Sequence, residues 1–339
     1  MQLEARIARV RMAETFVISR GASDEAQVVD VEIRHDGVSG FGEAAPIERY
    51  DESAESAHAF ARDAEELLGD DPFAFEEIEA RLRERPGEQA AKAAIDAALH
   101  DLCGKLVGLP VWRLLGLSRE GPPTSWTIWL GDPDDMARRA EKVRGRFKRL
   151  KLKLGAGDGR DVERVRAVRE VSNVPLQVDV NEAWSLDEAL EALPQLAELG
   201  LQYCEQPLRA GDPDGPELKC RSPLPIYVDE DCHTLEDVVS CAERAHGLTV
   251  KLAKSGGIRE AVRMAHAGRA LGLGLMLGCM NESGLAVAAG AACASLFDHV
   301  DLDGNLLLVE DPWPGIELVD GVQLPADAPG LGVRHVPES

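Results

Sequence analysis

RLKLKLGAGDGRDVERVRAVREVSNVPLQVDVN, residues 149–181, reads as strand, helix, strand. Apolar and charged residues alternate through Leu150-Lys151-Leu152-Lys153, glycines break the run, helical spacing takes over at 161–171, and a second apolar run closes on Asp179. Further along, a charged residue ends each of the next apolar runs. From Lys153 the series Asp179, Glu205, Asp229, Lys251 has intervals of 26, 26, 24 and 22 residues, the length of one strand plus one helix. In a closed α/β barrel such positions are the C-terminal ends of consecutive strands, and their side chains converge on one mouth.

The same alternation predicts eight strands, near 124–130, 149–154, 175–180, 201–205, 225–229, 248–252, 273–278 and 297–302, which suffices to close a barrel. Helices are predicted between them, including 161–171, 186–199, 235–244 and 259–271. Upstream, residues 1–45 alternate apolar and polar with Gly37, Gly40 and Gly42 as breaks, an antiparallel meander. From about 53 to 117 the period is helical and alanine-rich until Gly108-Leu109-Pro110 stops it. The domain reading is an α+β capping module over 1–120, a barrel over 121–310, and a turn-rich segment, 311–339, that returns to the first module.

A length of 339 residues accommodates a barrel of about 250 plus a modest second module. Hydrophobic content of 45% with only 4% aromatics calls for an aliphatic, alanine-rich core. The formal charge of -23 argues against nucleic acid or an anionic membrane as partner, because both would repel this surface. An acidic, lysine-poor surface is also what a salty cytoplasm selects, and stability against salt concentration tests that. Of nine lysines, four fall in two short segments, Lys151 with Lys153 and Lys251 with Lys254. The seven cysteines show neither a CxxC pair nor metal-finger spacing, and no apolar run reaches membrane-spanning length or a signal pattern, so a cytoplasmic location is expected. A homo-oligomer is left open.

Lys151 and Lys153, two apart on a strand, point the same way, into the barrel. Buried like charges, with a cation nearby, are expected to depress a lysine pKa; a fall from about 10.4 to about 7.5 would remove about 4 kcal/mol of deprotonation cost and make a general base. Asp179, Glu205 and Asp229 each close an apolar run, where an unpaired buried anion costs several kcal/mol. A shared Mg²⁺ offsets that cost, since hard oxygen ligands prefer a hard cation. Lys251 lies roughly opposite Lys153 around the ring. Two bases on opposite faces of one carbon allow deprotonation from one side and reprotonation from the other, which inverts a stereocentre. A cation on the substrate carboxylate would stabilise the charge that develops.

LKLKLG, DVNEAW, EQP, VDED and KLAKSGG, in that order, resemble the enolase superfamily in its muconate-lactonizing subgroup, over essentially the whole chain. The resemblance implies a (β/α)₇β TIM-like barrel of the α/β class with an N-terminal α+β capping domain. It also implies Mg²⁺ on Asp179, Glu205 and Asp229, with Lys153 and Lys251 as the acid/base pair, Lys153 serving the (R) centre and Lys251 the (S). On the eighth strand HVDLDG places Asp301 and Asp303 two apart, an anionic pair suited to an ammonium. Dipeptide epimerases of the subgroup carry a similar pair that binds the substrate's α-ammonium. TFVISRG, GEAAPIERYDES and LMLGCM narrow the resemblance to epimerases of L-Ala-D/L-Glu, a dipeptide of peptidoglycan turnover. By that resemblance Arg20 would pair with a substrate glutamate side chain, or is simply a surface arginine. Thr127 and Cys279 would line the pocket or belong to the core, and Lys151 would contact the metal-bound carboxylate.

VDED stands where the family commonly has ADES, which puts Asp231 in an unusual position and the pocket detail in question. Other dipeptides, N-acylamino acid racemization and o-succinylbenzoate synthesis are the alternatives within the subgroup; the last has no ammonium to meet the aspartate pair. An idle barrel kept for structure or binding would be expected to have lost a lysine or a ligand, and all five are present.

Overall fold

The computed structural model describes residues 1–336. Its first three strands, β1 (Gln2–Ile18), β2 (Gly21–His35) and β3 (Val38–Ala44), form an antiparallel sheet in that order. On β2, Val29, Val31 and Ile33 share one face by strand periodicity and are fully buried with Ala94, Ile95 and Ala98 of the helix Gln89–Val107. Gly37 makes a turn, as read. Gly40 and Gly42, expected as breaks, instead lie inside β3, because the helix crosses there so closely that a Cβ would overlap the carbonyl oxygens of Ala98 and Ala94. Gly108 then ends the helix in the left-handed conformation (φ 71°), where a Cβ would be strained.

Eight parallel strands follow: β4 (Trp126–Ile128), β5 (Leu150–Lys153), β6 (Leu176–Asp179), β7 (Leu201–Glu205), β8 (Ile226–Val228), β9 (Gly247–Lys251), β10 (Gly274–Gly278) and β11 (His299–Asp301). Each pairs with its neighbours in sequence, and a bridge from Thr124 to Val300 brings the two edges together, with Ser125 N–H donating to Val300 O at 2.9 Å. All eight lie where the alternation placed them, with ends trimmed by no more than two residues and β9 beginning one residue earlier. Helices fill the seven connections, including Asp161–Val171, Leu186–Glu198 and Ile258–Ala270, so the architecture is a (β/α)₇β barrel under an antiparallel cap. Two aliphatic cores lie between strands and helices, one around β5–β7 and one around β9–β11.

Beyond residue 310 the chain, which includes a short hairpin of β12 (Glu317–Val319) with β13 (Val322–Leu324), reaches both bodies. Gly321 O accepts from Thr124 N–H at 2.8 Å beside the barrel. Leu331 N–H donates to Asp101 Oδ1 at 2.7 Å and the Trp313 ring lies 5.2 Å from Phe41 in the cap. Among the described residues no helix is long and apolar enough to cross a membrane.

Candidate active site

Strand register builds the site. Lys153 pairs with Asp179 and Asp179 with Glu205 across β5, β6 and β7. On the other side Lys251 and Asp301 both pair with Gly278 of β10, and Asp229 follows directly on β8. Because β5 and β9 are four places apart in a ring of eight, Lys153 and Lys251 face each other across the mouth. They line one cavity of about 620 Å³ with Asp229, Asp301, Asp303 and Thr127. Its roof is the cap: Ser19, in the turn between β1 and β2, donates to Asn181 O at 3.0 Å, and Arg49 holds Glu182 through two bonds of 2.7 and 2.8 Å.

The charges are arranged as alternating ion pairs. Lys153 Nζ lies 2.6 Å from Asp179 Oδ2, Lys251 Nζ 2.7 Å from Asp229 Oδ2, and Lys254 Nζ 2.5 Å from Asp229 Oδ1. Lys151 Nζ lies 2.7 Å from Glu205, 2.8 Å from Asp301 and 3.4 Å from Asp179. Lys151, Asp179 and Glu205 are buried to 1% exposure or less, beneath the residues that line the cavity.

Burial and pairing decide the protonation states. Burial alone would raise Asp179 and Asp229, but Lys153 and Lys151 bring the former down to about 2, and Lys251 and Lys254 hold the latter well below the carboxylate range. Glu205, for which burial and the neighbouring Asp179 and Asp229 outweigh Lys151, is pushed up to about 7. For Lys151 and Lys251 burial favours the neutral amine, yet the carboxylates win and both pKa values rise. In this lysine-bridged arrangement, opposite charges in direct contact outweigh the mutual repulsion of the lysines.

Lys254 belongs to the constellation although no role was read for it; the scarcity and clustering of lysine was the signal. Asn181, which donates to Asp179 at 3.1 Å, and Gln206 carried no signal beyond their motifs.

Asp301 ends β11, whereas Asp303 stands two residues on, at the start of the 3-10 turn Gly304–Leu307. Its Oδ2 accepts from Thr127 N–H at 2.7 Å, and burial with the adjacent Asp301 charge pushes it up to about 7. Thr127 is therefore both buried and lining, and Cys279 lines the cavity with its thiol kept protonated by burial. Arg20 edges the cavity, but its Nη1 is engaged within the chain, 2.8 Å from Glu230, 3.2 Å from Glu182 and 3.1 Å from Asn181 O. The guanidinium, read either as partner of a substrate carboxylate or as a surface arginine, is held by two carboxylates of its own chain. Asp231 points away from the cavity, toward Gln206 and Arg244.

For a cation, the donor chemistry fits and the present arrangement is lysine-bridged. Among the described residues no three acidic, histidine or cysteine side chains form a ready cage, because the ammonium groups sit between the carboxylates as counter-ions. Yet Asp179 and Asp229 are close enough to raise the pKa of Glu205, whose Oε1 is buried with no hydrogen-bond donor and whose Oε2 faces the Lys151 ammonium at 2.7 Å, a counter-ion standing where a hard ligand would take its cation.

Residues 135–339 match the family model described as enolase C-terminal domain-like, and residues 2–116 the N-terminal domain of mandelate racemase / muconate lactonizing enzyme. A protein of Bacteroides thetaiotaomicron named L-Ala-D/L-Glu epimerase is 35% identical over 331 residues, covering 96% of this chain and 86% of that one. A protein of a Flavobacteria bacterium (strain MS024-2A) named hydrophobic dipeptide epimerase is 38% identical, covering 94% of this chain and 93% of that one. Among solved structures, a dipeptide epimerase from Enterococcus faecalis, complexed with Mg and L-Leu-L-Tyr, superposes with a TM-score of 0.94 at 30% identity, over 98% of this chain and 99% of that one.

Proposed function

The chain belongs to the enolase superfamily, in its mandelate racemase / muconate lactonizing enzyme branch, and we propose that it is a dipeptide epimerase inverting the α-carbon of the C-terminal residue. One observation carries the mechanism: two lysines on strands four apart face one cavity from opposite walls. With the α-carbon between them, the free amine of Lys153 takes the proton from one face while the ammonium of Lys251 returns one to the other, and the roles exchange for the opposite isomer. Lys153 serves the (R) centre and Lys251 the (S) centre.

Asp179, Glu205 and Asp229 are the residues that would hold Mg²⁺; when bound, the ion supplies positive charge to the substrate carboxylate and competes with the lysines for these acids. Asp301 and Asp303 receive the dipeptide's α-ammonium, which distinguishes a free dipeptide from an N-acyl substrate. What supports that role is that both line the cavity and that Asp301 Oδ1 is buried with no hydrogen-bond partner, the other oxygen lying 2.8 Å from Lys151. Thr127 anchors Asp303 through its backbone, and Cys279 contributes a neutral wall. The first substrate to try is L-Ala-D/L-Glu from peptidoglycan turnover in the cytoplasm; it requires Arg20 to exchange a contact with Glu182 or Glu230 for the substrate side chain. The seven free cysteines are in keeping with a reducing compartment.

The test is solvent exchange. In D₂O with Mg²⁺, L-Ala-L-Glu is expected to take deuterium at the α-carbon of its C-terminal residue as the second diastereomer appears. No exchange with any member of a dipeptide library would sink the reading.

A further inference from the structure

The unusual last acid of VDED, Asp231, has a place in the structure that the reaction does not explain. Gln206, following Glu205, has a left-handed backbone (φ 35°) and turns its carboxamide back toward the next strand's exit. Its Oε1 accepts from the backbone N–H of Asp229 at 2.8 Å, of Glu230 at 3.0 Å and of Asp231 at 3.4 Å. Its Nε2 donates to Leu208 O and to Asp231 Oδ2, both at 2.8 Å. The other Asp231 oxygen accepts from Gly211 N–H at 2.8 Å and pairs with Arg244 at 3.1 Å. A carboxamide can flip, exchanging its oxygen for its nitrogen, and a flip here would turn an NH₂ group onto three backbone N–H donors. The carboxylate of Asp231 opposes that flip with the charge-assisted bond of the set.

We propose that Asp231 is a positioning residue, which fixes the carboxamide of Gln206 and through it the backbone that carries Asp229, the cation ligand on the proposed reading. Asp231 touches neither substrate nor ion; it determines where Asp229 stands. A side chain without an acceptor at this position leaves Leu208 O as the remaining acceptor for Nε2, and Asp229 then occupies a wider range of positions.

The experiment uses the full chain and two readouts: Mg²⁺ affinity by titration calorimetry, and backbone hydrogen exchange of residues 229–231 in the metal-free protein. Asp231→Ala is expected to weaken Mg²⁺ binding about 10-fold, as loss of groups that orient a ligand does, and to speed exchange of the segment. Asp231→Asn, whose oxygen still accepts from Gln206, is expected to restore most of both. Arg244→Ala breaks the same ion pair and lowers thermal stability, but should leave affinity within about 2-fold, since Gln206 keeps its partner. Unchanged Mg²⁺ affinity in Asp231→Ala overturns the proposal, whether or not exchange quickens, while equal losses in Asp231→Ala and Arg244→Ala reduce Asp231 to a structural residue. A parent protein that binds no Mg²⁺ overturns the ligand reading itself, and is recognised before any variant is compared.

Discussion

The two ends of the barrel are filled by the same strands in opposite ways. At the mouth, β7 presents Glu205 and β11 Asp301; two residues earlier, at the bottom, the same strands present Tyr203 and His299. Two of the chain's three tyrosines are at that lower level, Tyr203 and Tyr227, with ring centres 4.3 Å apart and His299 and Met276 packed beside them. Burial and Arg149 push His299 down to about 4, so its ring is neutral. Shape fills the bottom; opposed charges fill the mouth, where four lysines and four carboxylates pair with one another. A protein that only needed a closed barrel would gain by extending the neutral packing upward, because replacing buried ion pairs with apolar residues is often stabilising by about 1–4 kcal/mol. The charge is concentrated where protons must move.

The contrast is broken most severely at the lysines. Lys153→Ala and Lys251→Ala are each expected to lower epimerization by about 10³-fold or more, followed by chiral chromatography. Each variant should retain deuterium exchange from only the isomer whose proton the surviving lysine removes. Full inversion by either variant would end the two-base scheme. Removal of divalent cations with EDTA comes next: activity should vanish and return with Mg²⁺, and at about 100 times Kd the ion should stabilise the fold by about 2.7 kcal/mol in thermal melts.

A smaller effect is expected at the ammonium subsite. Asp303→Asn should raise KM for free-amine dipeptides more than it lowers kcat. Since Asp303 is held at about 7, its carboxylate takes up a proton as pH falls through that value and ceases to attract an ammonium. Thus kcat/KM should fall on the acid side of 7 in the parent, and this limb should be shallower in Asp303→Asn, where Glu205, also pushed up to about 7, still takes up a proton. The stability term has the opposite sign. The folded pKa lies above the ordinary 3.8, so between 3.8 and about 7 the native state holds a proton that the unfolded chain has lost, and stability declines as pH rises through that window. The smallest effect belongs to the bottom: Tyr203→Phe loses the hydroxyl's contact with Met276 Sδ at 2.6 Å, and should leave kcat/KM unchanged while altering stability by no more than about 1.5 kcal/mol.

The sequence was most legible where the signal is a period. The strands at Leu150–Lys153 and Leu176–Asp179 and the helix Asp161–Val171 follow from alternation and helical spacing, and the rim residues follow from where the apolar runs end. It was least legible where a residue's partner lies far along the chain. Gly40 and Gly42 resemble breaks until the helix at Ala94 and Ala98 is placed over them. Arg20 resembles a free guanidinium until Glu182 and Glu230 are brought to it, and Asp231 resembles a pocket residue until Gln206 and Arg244 claim it.

By itself, then, the sequence determined the order of strands and helices, the residues at the rim and the kinds of chemistry they can perform, because backbone periodicity and side-chain type are properties of neighbours in the chain. Only the tertiary structure decided which charge meets which: that Lys251 and Lys254 share Asp229, and that Lys151 stands among Asp179, Glu205 and Asp301. The reason is that electrostatic energy in a buried site depends on distances of a few ångströms between residues tens of positions apart, and those distances exist only once the barrel has closed.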